Sequence, residues 1–169
     1  ILNIKPKKLL LLDSNEYSLY SILNELETLQ NDHDLDIIPI LASIQDKKKI
    51  SILLNTWKPE TIYHAAAYKH VPIVEQNLAE GLKNNVFGTL VIAEASIKSK
   101  VSNFVFISTD KAVRPTSVMG ASKRLGEMIL QALYDSKSNE KLTKFSMVRF
   151  GNVLDSSGSV IPKFRKQIK

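Results

Sequence analysis

The chain has no cysteine in its 169 residues, which excludes disulfides and thiolate metal sites and fits a reducing compartment. Glycine is scarce: there are 6, and the first is Gly81. A dinucleotide-binding loop of the Gly-x-Gly-x-x-Gly type is therefore missing from the first half of the sequence. With 6 prolines beside those glycines and 24% charged residues, wholesale disorder is excluded. No apolar run approaches the roughly 20 residues a membrane-spanning helix needs, and no signal peptide opens the sequence. The chain begins at Ile1 and Leu2 rather than Met, and reads as a segment of something longer.

What is present suits one domain with a real core: 44% of residues are hydrophobic, enough at this length to bury a sizeable interior. The net charge of +6 and pI near 9.4 raise the question of nucleic acid. The basic residues are scattered, however, over Lys5, Lys7 and Lys8, then Lys47 to Lys49, then Lys163, Arg165, Lys166 and Lys169. Aromatics do not interleave with them as a stacking platform requires. These runs read as solvated helix ends and loops, with no nucleic-acid partner. A basic surface also suits an anionic small molecule such as a nucleotide diphosphate.

Short apolar runs alternate with helical periodicity along the whole length. Lys8 to Leu12, ending at Asp13, predicts a buried parallel strand. Leu19, Ile22, Leu23, Leu26 and Leu29 then recur at helical spacing. Further strands are expected at Asp36 to Leu41, Thr61 to His64, Asn103 to Ser108 and Phe145 to Phe150. Between them, Ile50 with Leu53 and Leu54, then Leu82, Val86, Ala93 and Ile97, then Leu125, Met128, Ile129 and Leu133 mark helices. The one linker-like stretch is Asp135 to Lys141. The alternation predicts an α/β fold, a doubly wound parallel sheet with helices on both faces. Its first strand and glycine-rich loop are not in the sequence.

Ligands in such sheets sit at the carboxyl ends of the strands, so the segments following each strand carry the functional question. Asp13 can accept hydrogen bonds from an adenosine ribose, and equally Asp13 or Ser14 can cap a helix. After the third strand, His64-Ala65-Ala66-Ala67 lets backbone approach a flat or phosphate-bearing ligand, or is simply a tight strand-helix junction with His64 satisfied inside it. Ser108-Thr109-Asp110-Lys111 is followed by Met119 and Lys123, four apart and so on one helix face. Short-chain dehydrogenases place a Tyr and a Lys at this spacing beside the nicotinamide, the Lys charge lowering the Tyr pKa. Met119 cannot exchange a proton, so acid-base work would fall to Asp110 and Lys111. An Asp-Lys pair after a strand is also a common surface turn.

Taken in order, His64 to Pro72, Asn85-Val-Phe-Gly-Thr89, Ser108 to Arg124, Arg149-Phe-Gly-Asn-Val153 and Ser156 to Pro162 resemble the CapD-type polysaccharide-biosynthesis proteins. These are extended short-chain dehydrogenase/reductases that act as UDP-N-acetylglucosamine 4,6-dehydratases, with a Rossmann-like fold. The resemblance implies oxidation of sugar C4 with NADP (or NAD), loss of water across C5 and C6, and return of the hydride to C6, with inversion at C5. It makes Asp110 the acid at the C6 hydroxyl, Lys111 the base at C5, Thr109 the residue that orients the 4-oxygen, and Lys123 the anchor of the nicotinamide ribose. A base at Lys111 needs a pKa depressed by desolvation and neighbouring cations such as Lys123.

By the same likeness Asp13 and Ser14 contact the adenosine ribose or 2′-phosphate, and Ser43 with Ile44 contacts adenine. Ala65, Ala66 and Asn85 line the cofactor, while Lys69 and Asn152 approach the substrate. Two positions depart from the wider pattern: Met119 stands where Tyr is usual, as in one branch of the family, and Asp155 stands where glycine is usual. No metal is implied. The expected partners are a UDP-sugar and, in the whole enzyme, a second copy of itself in a homo-oligomer. The expected location is cytoplasmic, in a parent that carries membrane helices elsewhere, with no membrane contact by this segment. Residues 1–169 would then be a partial NAD(P)-binding catalytic domain, without its glycine loop and its substrate subdomain. Without the glycine loop, which supplies much of the pyrophosphate affinity, this segment alone is expected to bind NADP weakly and to be inactive. The alternatives are a related nucleotide-sugar epimerase, which needs no C5 base, and a non-catalytic nucleotide-binding module.

Overall fold

The computed structural model describes residues 1–29, 35–136, 143–151, 153, 164, 167 and 168. Five parallel strands alternate with helices: β1 (Lys8–Asp13), α1 (Glu16–Leu29), β2 (Asp36–Leu41), α2 (Lys47–Trp57) and β3 (Thr61–His64) form the first half. Then come α3 (Val71–Gln76), α4 (Leu78–Leu82), a π-helical turn (Lys83–Gly88), α5 (Thr89–Lys98), β4 (Asn103–Thr109), α6 (Val118–Ser136) and β5 (Lys144–Phe150). β1 pairs with β2, and β3, β4 and β5 pair in that order, every ladder parallel. In the doubly wound order 3-2-1-4-5-6 these strands fill the second to sixth positions. Among the described residues no strand pairs with the edge of β1 away from β2, and β1 is half-buried.

A single apolar cluster joins the two sheets. Ile44, Ile50 and Leu54 from the β2–α2 half pack with Ile92, Ala93 and Ala95 of α5, Phe104 and Phe106 of β4, and Leu130 of α6. Burying Phe104 and Phe106 completely contributes about 2–3 kcal/mol each. Alternate residues of β4 point into this core, which fixes its other face and its carboxyl end.

Two local expectations are corrected. Neither Asp13 nor Ser14 caps α1: Asn15 does, its Oδ1 accepting from Ser18 N at 2.9 Å, while Asp13 Oδ1 accepts from Asn15 N at 2.8 Å. An asparagine one residue nearer the helix outcompeted both. The long helix expected through Leu82 and Ile97 is interrupted by the π-turn, so Leu82 and Ile97 are only half-buried while Gly81, Asn85, Val86, Thr89 and Ile92 face inward. Of the linker-like stretch, Asp135 and Ser136 end α6 and residues 137–141 lie outside the described residues.

Candidate active site at the carboxyl end of β4

Thr109 ends β4 in an extended conformation, and Asp110–Ala112 form one turn of 3-10 helix anchored by buried Ala112. Three groups converge there. Thr109 Oγ1 donates to Asp110 Oδ1 at 2.9 Å, Lys111 Nζ donates to the same oxygen at 3.1 Å, and Lys111 N donates back to Thr109 Oγ1 at 3.3 Å. The Lys111 hydrogen bond, then the Thr109 one, hold the Asp110 carboxyl below the usual carboxylate range. The Lys111 side chain remains 42% exposed. The end of β5 faces the second oxygen of Asp110: a Cβ on Gly151 would lie 3.9 Å from Oδ2.

The turn is seated on the start of α6. Ser117 Oγ accepts from Gly120 N at 3.1 Å and the Glu75 carboxylate accepts from Val118 N at 2.7 Å, so two side chains satisfy the first amides of this helix. Gly120 lies directly under the Lys111 carbonyl. Met119 is 5% exposed and presents no titratable group. Lys123, 7% exposed, carries its ammonium over the Phe106 ring, 4.3 Å from the centroid. Burial lowers its pKa to about 8, against an opposing push from Glu127.

β3 and the π-turn complete the wall. Asn85 Oδ1 accepts from Tyr68 N at 2.8 Å, its Nδ2 donates to Tyr68 O and to Ser122 Oγ, each at 3.0 Å, and Ser122 Oγ donates to Met119 O at 2.7 Å. One buried amide thus ties residues 65–70 to α6, and the π-turn is what aims it. His64 is buried with its Nε2 2.9 Å from Thr89 Oγ1, and Thr89 Oγ1 donates to Asn85 O at 2.7 Å. That hydroxyl proton is committed, so Nε2 of His64 must donate: the ring is the neutral Nε2–H tautomer. Burial and then the charge of Lys123 push the His64 pKa down to about 3.

The His64 shift predicts a pH dependence. The unfolded chain binds the imidazole proton near pH 6.5 and the native one only near 3, so stability rises with pH across that window and falls on acidification. From pH 6.5 to 5 the loss is on the order of 2 kcal/mol. Urea midpoints at those two pH values should show it, and His64→Gln should flatten the slope; an equal slope in both proteins would refute the assignment.

A family profile described as "Polysaccharide biosynthesis protein" matches residues 1–169. The chain belongs to that family. It is 48% identical over 97% of its length to the capsular polysaccharide biosynthesis protein CapD of Staphylococcus aureus, covering 27% of that protein. It is 32% identical over 98% of its length to the UDP-N-acetylglucosamine 4,6-dehydratase (inverting) of Campylobacter jejuni, covering 47% of it. The X-ray structure of Pen from Bacillus thuringiensis superposes with a TM-score of 0.87 at 34% identity, over 99% of this chain and 49% of that one. The chain therefore spans less than half of each of these relatives.

Against the family's pattern, the structure brings Thr109, Asp110 and Lys111 together and sets Met119 and Lys123 on the buried face of α6 behind them. Asn85 is buried, Ala66 half-buried and Ala65 exposed beside them. Asp13 and Ser14 lie on the other sheet, at the end of β1. Ser43 is half-buried and Ile44 belongs to the core, packed where Gly88 leaves room for it. Lys69 is exposed on the loop after β3. Asn152 and Asp155 fall outside the described residues. Among the described residues no helix is long and apolar enough to cross a membrane, and no group of three His, Asp or Glu is placed to hold a metal.

The sequence reading missed Glu127, and it named Arg149 only as part of a matching stretch, without a role. Glu127 sits among Leu125, Met128 and Ile129, where a charge reads as the solvent side of an amphipathic helix. Its one signal was its place a turn after Lys123.

Proposed function

We propose that this chain forms the catalytic side of a UDP-N-acetylglucosamine 4,6-dehydratase of polysaccharide biosynthesis (capsule or O-antigen type), giving a UDP-4-keto-6-deoxy sugar with inversion at C5. The observation that carries the reading is the hydrogen-bonded Thr109–Asp110–Lys111 set, with a buried Met119 where a phenol would otherwise exchange protons. The relative at 32% identity that is named as the inverting dehydratase supports the same choice.

The residues fit a nicotinamide cofactor. Lys123 is 7% exposed, and its ammonium, held over the Phe106 ring, carries three donors that ribose hydroxyls would engage. Bound there, NADP would supply hydride exchange with the sugar. Asp13 and Ser14, at the end of β1, are assigned to the adenosine half, as are Ser43 and Ile44, and Ala65, Ala66 and Asn85 to the wall between.

In the resting ion pair Asp110 holds the negative charge and Lys111 the proton, the reverse of what elimination needs. Moving one proton along the hydrogen bond of 3.1 Å gives a neutral amine and a carboxylic acid. Exclusion of water by bound sugar favours that neutral pair, because desolvation penalises both charges. Lys111 then takes the C5 proton, the C5–H electrons form the C5–C6 double bond, and the C6–O bond breaks as Asp110 gives its proton to the departing hydroxyl. Water leaves and the ion pair is restored. Lys69 and Asn152 are assigned to the substrate side.

The protein that carries this segment, incubated with UDP-N-acetylglucosamine in deuterated water, should release a 4-keto-6-deoxy sugar with deuterium at C5 by NMR. Unchanged sugar, or inversion at C4 without C5 deuterium, would overturn the assignment.

A further inference from the structure

Glu127 is the most heavily bonded side chain near the site although it faces no ligand position. It is 2% exposed, and its Oε1 accepts from Ser108 Oγ at 2.7 Å and Arg149 Nε at 2.8 Å. Its Oε2 accepts from Arg149 Nη2 at 2.7 Å and Arg124 Nη1 at 2.9 Å. Three elements therefore meet on one carboxylate. Ser108 immediately precedes Thr109, and Arg149 lies opposite Ser108 in the β4–β5 register, two residues before Gly151, which faces Asp110. One turn back on the same buried face of α6 is Lys123.

We infer that Glu127 is the positioning residue of this site: it locks the ends of β4 and β5 together under the Asp110–Lys111 turn, and it sets a carboxylate one turn from Lys123 on the same buried face of α6. The inference relies on the proposed function only for the molecule that Lys123 meets. Register alone does not call for a charge, since a buried ion pair is often replaceable by packed apolar groups without loss of stability. Lys123 supplies the reason. Desolvation drives it toward the neutral amine, and His64 on β3 is neutral and offers no counter-charge. The other charged groups on the elements around α6 are engaged elsewhere or face solvent. Glu75 of α3 caps α6, Lys83 pairs with Glu80, Glu94 pairs with Lys47, Asp110 pairs with Lys111, and Lys98 and Lys144 are exposed. Glu127 is the anion whose field supports the ammonium.

The charge argument makes a prediction that a structural role does not. Removing the carboxylate should lower the Lys123 pKa, and removing its arginine partner should raise it, because Glu127 is then less neutralised. We would follow Lys123 in the full-length protein by NMR titration of carbon-13 labelled lysine, assigning the resonance by its loss in Lys123→Arg. Glu127→Gln should move the midpoint down by about one unit and Arg149→Gln should move it up. Ser108→Ala, which leaves every charge in place, should leave the midpoint unmoved while slowing turnover. Midpoints that stay put, or move in the same direction in both charge variants, overturn the inference. If Glu127→Gln does not fold, Arg149→Gln still decides, and an unmoved or lowered midpoint overturns it. Opposite shifts in a protein that leaves UDP-N-acetylglucosamine unchanged would uphold Glu127 and sink only the dehydratase reading.

Discussion

Lys111→Met is expected to lower dehydration of UDP-N-acetylglucosamine by at least about a thousandfold, the range of a general base in position, and to eliminate deuterium incorporation at C5. Methionine nearly matches lysine in length, so the turn of Asp110–Ala112, held by Thr109 and by Ala112 in the core, should keep its shape. The amine that would accept the C5 proton is gone, whereas Asp110, freed of the hydrogen bond that is the largest cause of its low pKa, is more readily protonated and keeps its capacity as an acid. Retention of a tenth of the wild-type turnover would show that another group removes the C5 proton. Thermal unfolding should shift little, because Lys111 is half-exposed and an exposed ion pair contributes at most about 1 kcal/mol.

The strands were legible because each is a short apolar run bounded by turn residues, and the rule that ligands gather at carboxyl ends pointed to Thr109–Lys111 before any geometry was known. The side of α6 that would be buried was not. Of the four apolar residues that marked the helix, Leu125 and Met128 face outward and Ile129 and Leu133 are half-buried, Leu133 against the core, while Met119, Gly120, Ser122, Lys123, Gly126, Glu127 and Leu130 face in. That face is chosen largely by close approach and by a polar network, so apolar periodicity finds only part of it. The π-turn was equally hidden: one extra residue per turn rotates Asn85 onto Tyr68 and Ser122 without any compositional mark. α3 escaped notice because six residues, Val71–Gln76, are too few for a period to register.

Gly120→Ala tests whether that close approach matters. On helix propensity alone the change should stabilise by up to about 1 kcal/mol, since glycine inside a helix costs that much relative to alanine. A Cβ at this position, however, runs into the carbonyl oxygen of Lys111, and backbone cannot swing away as a side chain can. Overpacking of this kind costs about 1–3 kcal/mol, so the clash should win and the urea midpoint should fall. The effect on turnover should exceed the effect on stability. Relief comes most easily by lifting the Asp110–Ala112 turn off α6, which moves Lys111 and Asp110 relative to Lys123, and a displacement near 1 Å can cost about a hundredfold in rate. Gly126→Ala provides the comparison: its Cβ would meet the tip of the Phe106 ring at 2.9 Å, a side chain beneath Lys123 and away from the Asp110–Lys111 turn. It should therefore lower stability by a similar amount while reducing turnover much less. If Gly120→Ala were more stable than the wild type and fully active, the seating of the turn on α6 would not be what sets the distance between the acid-base pair and Lys123.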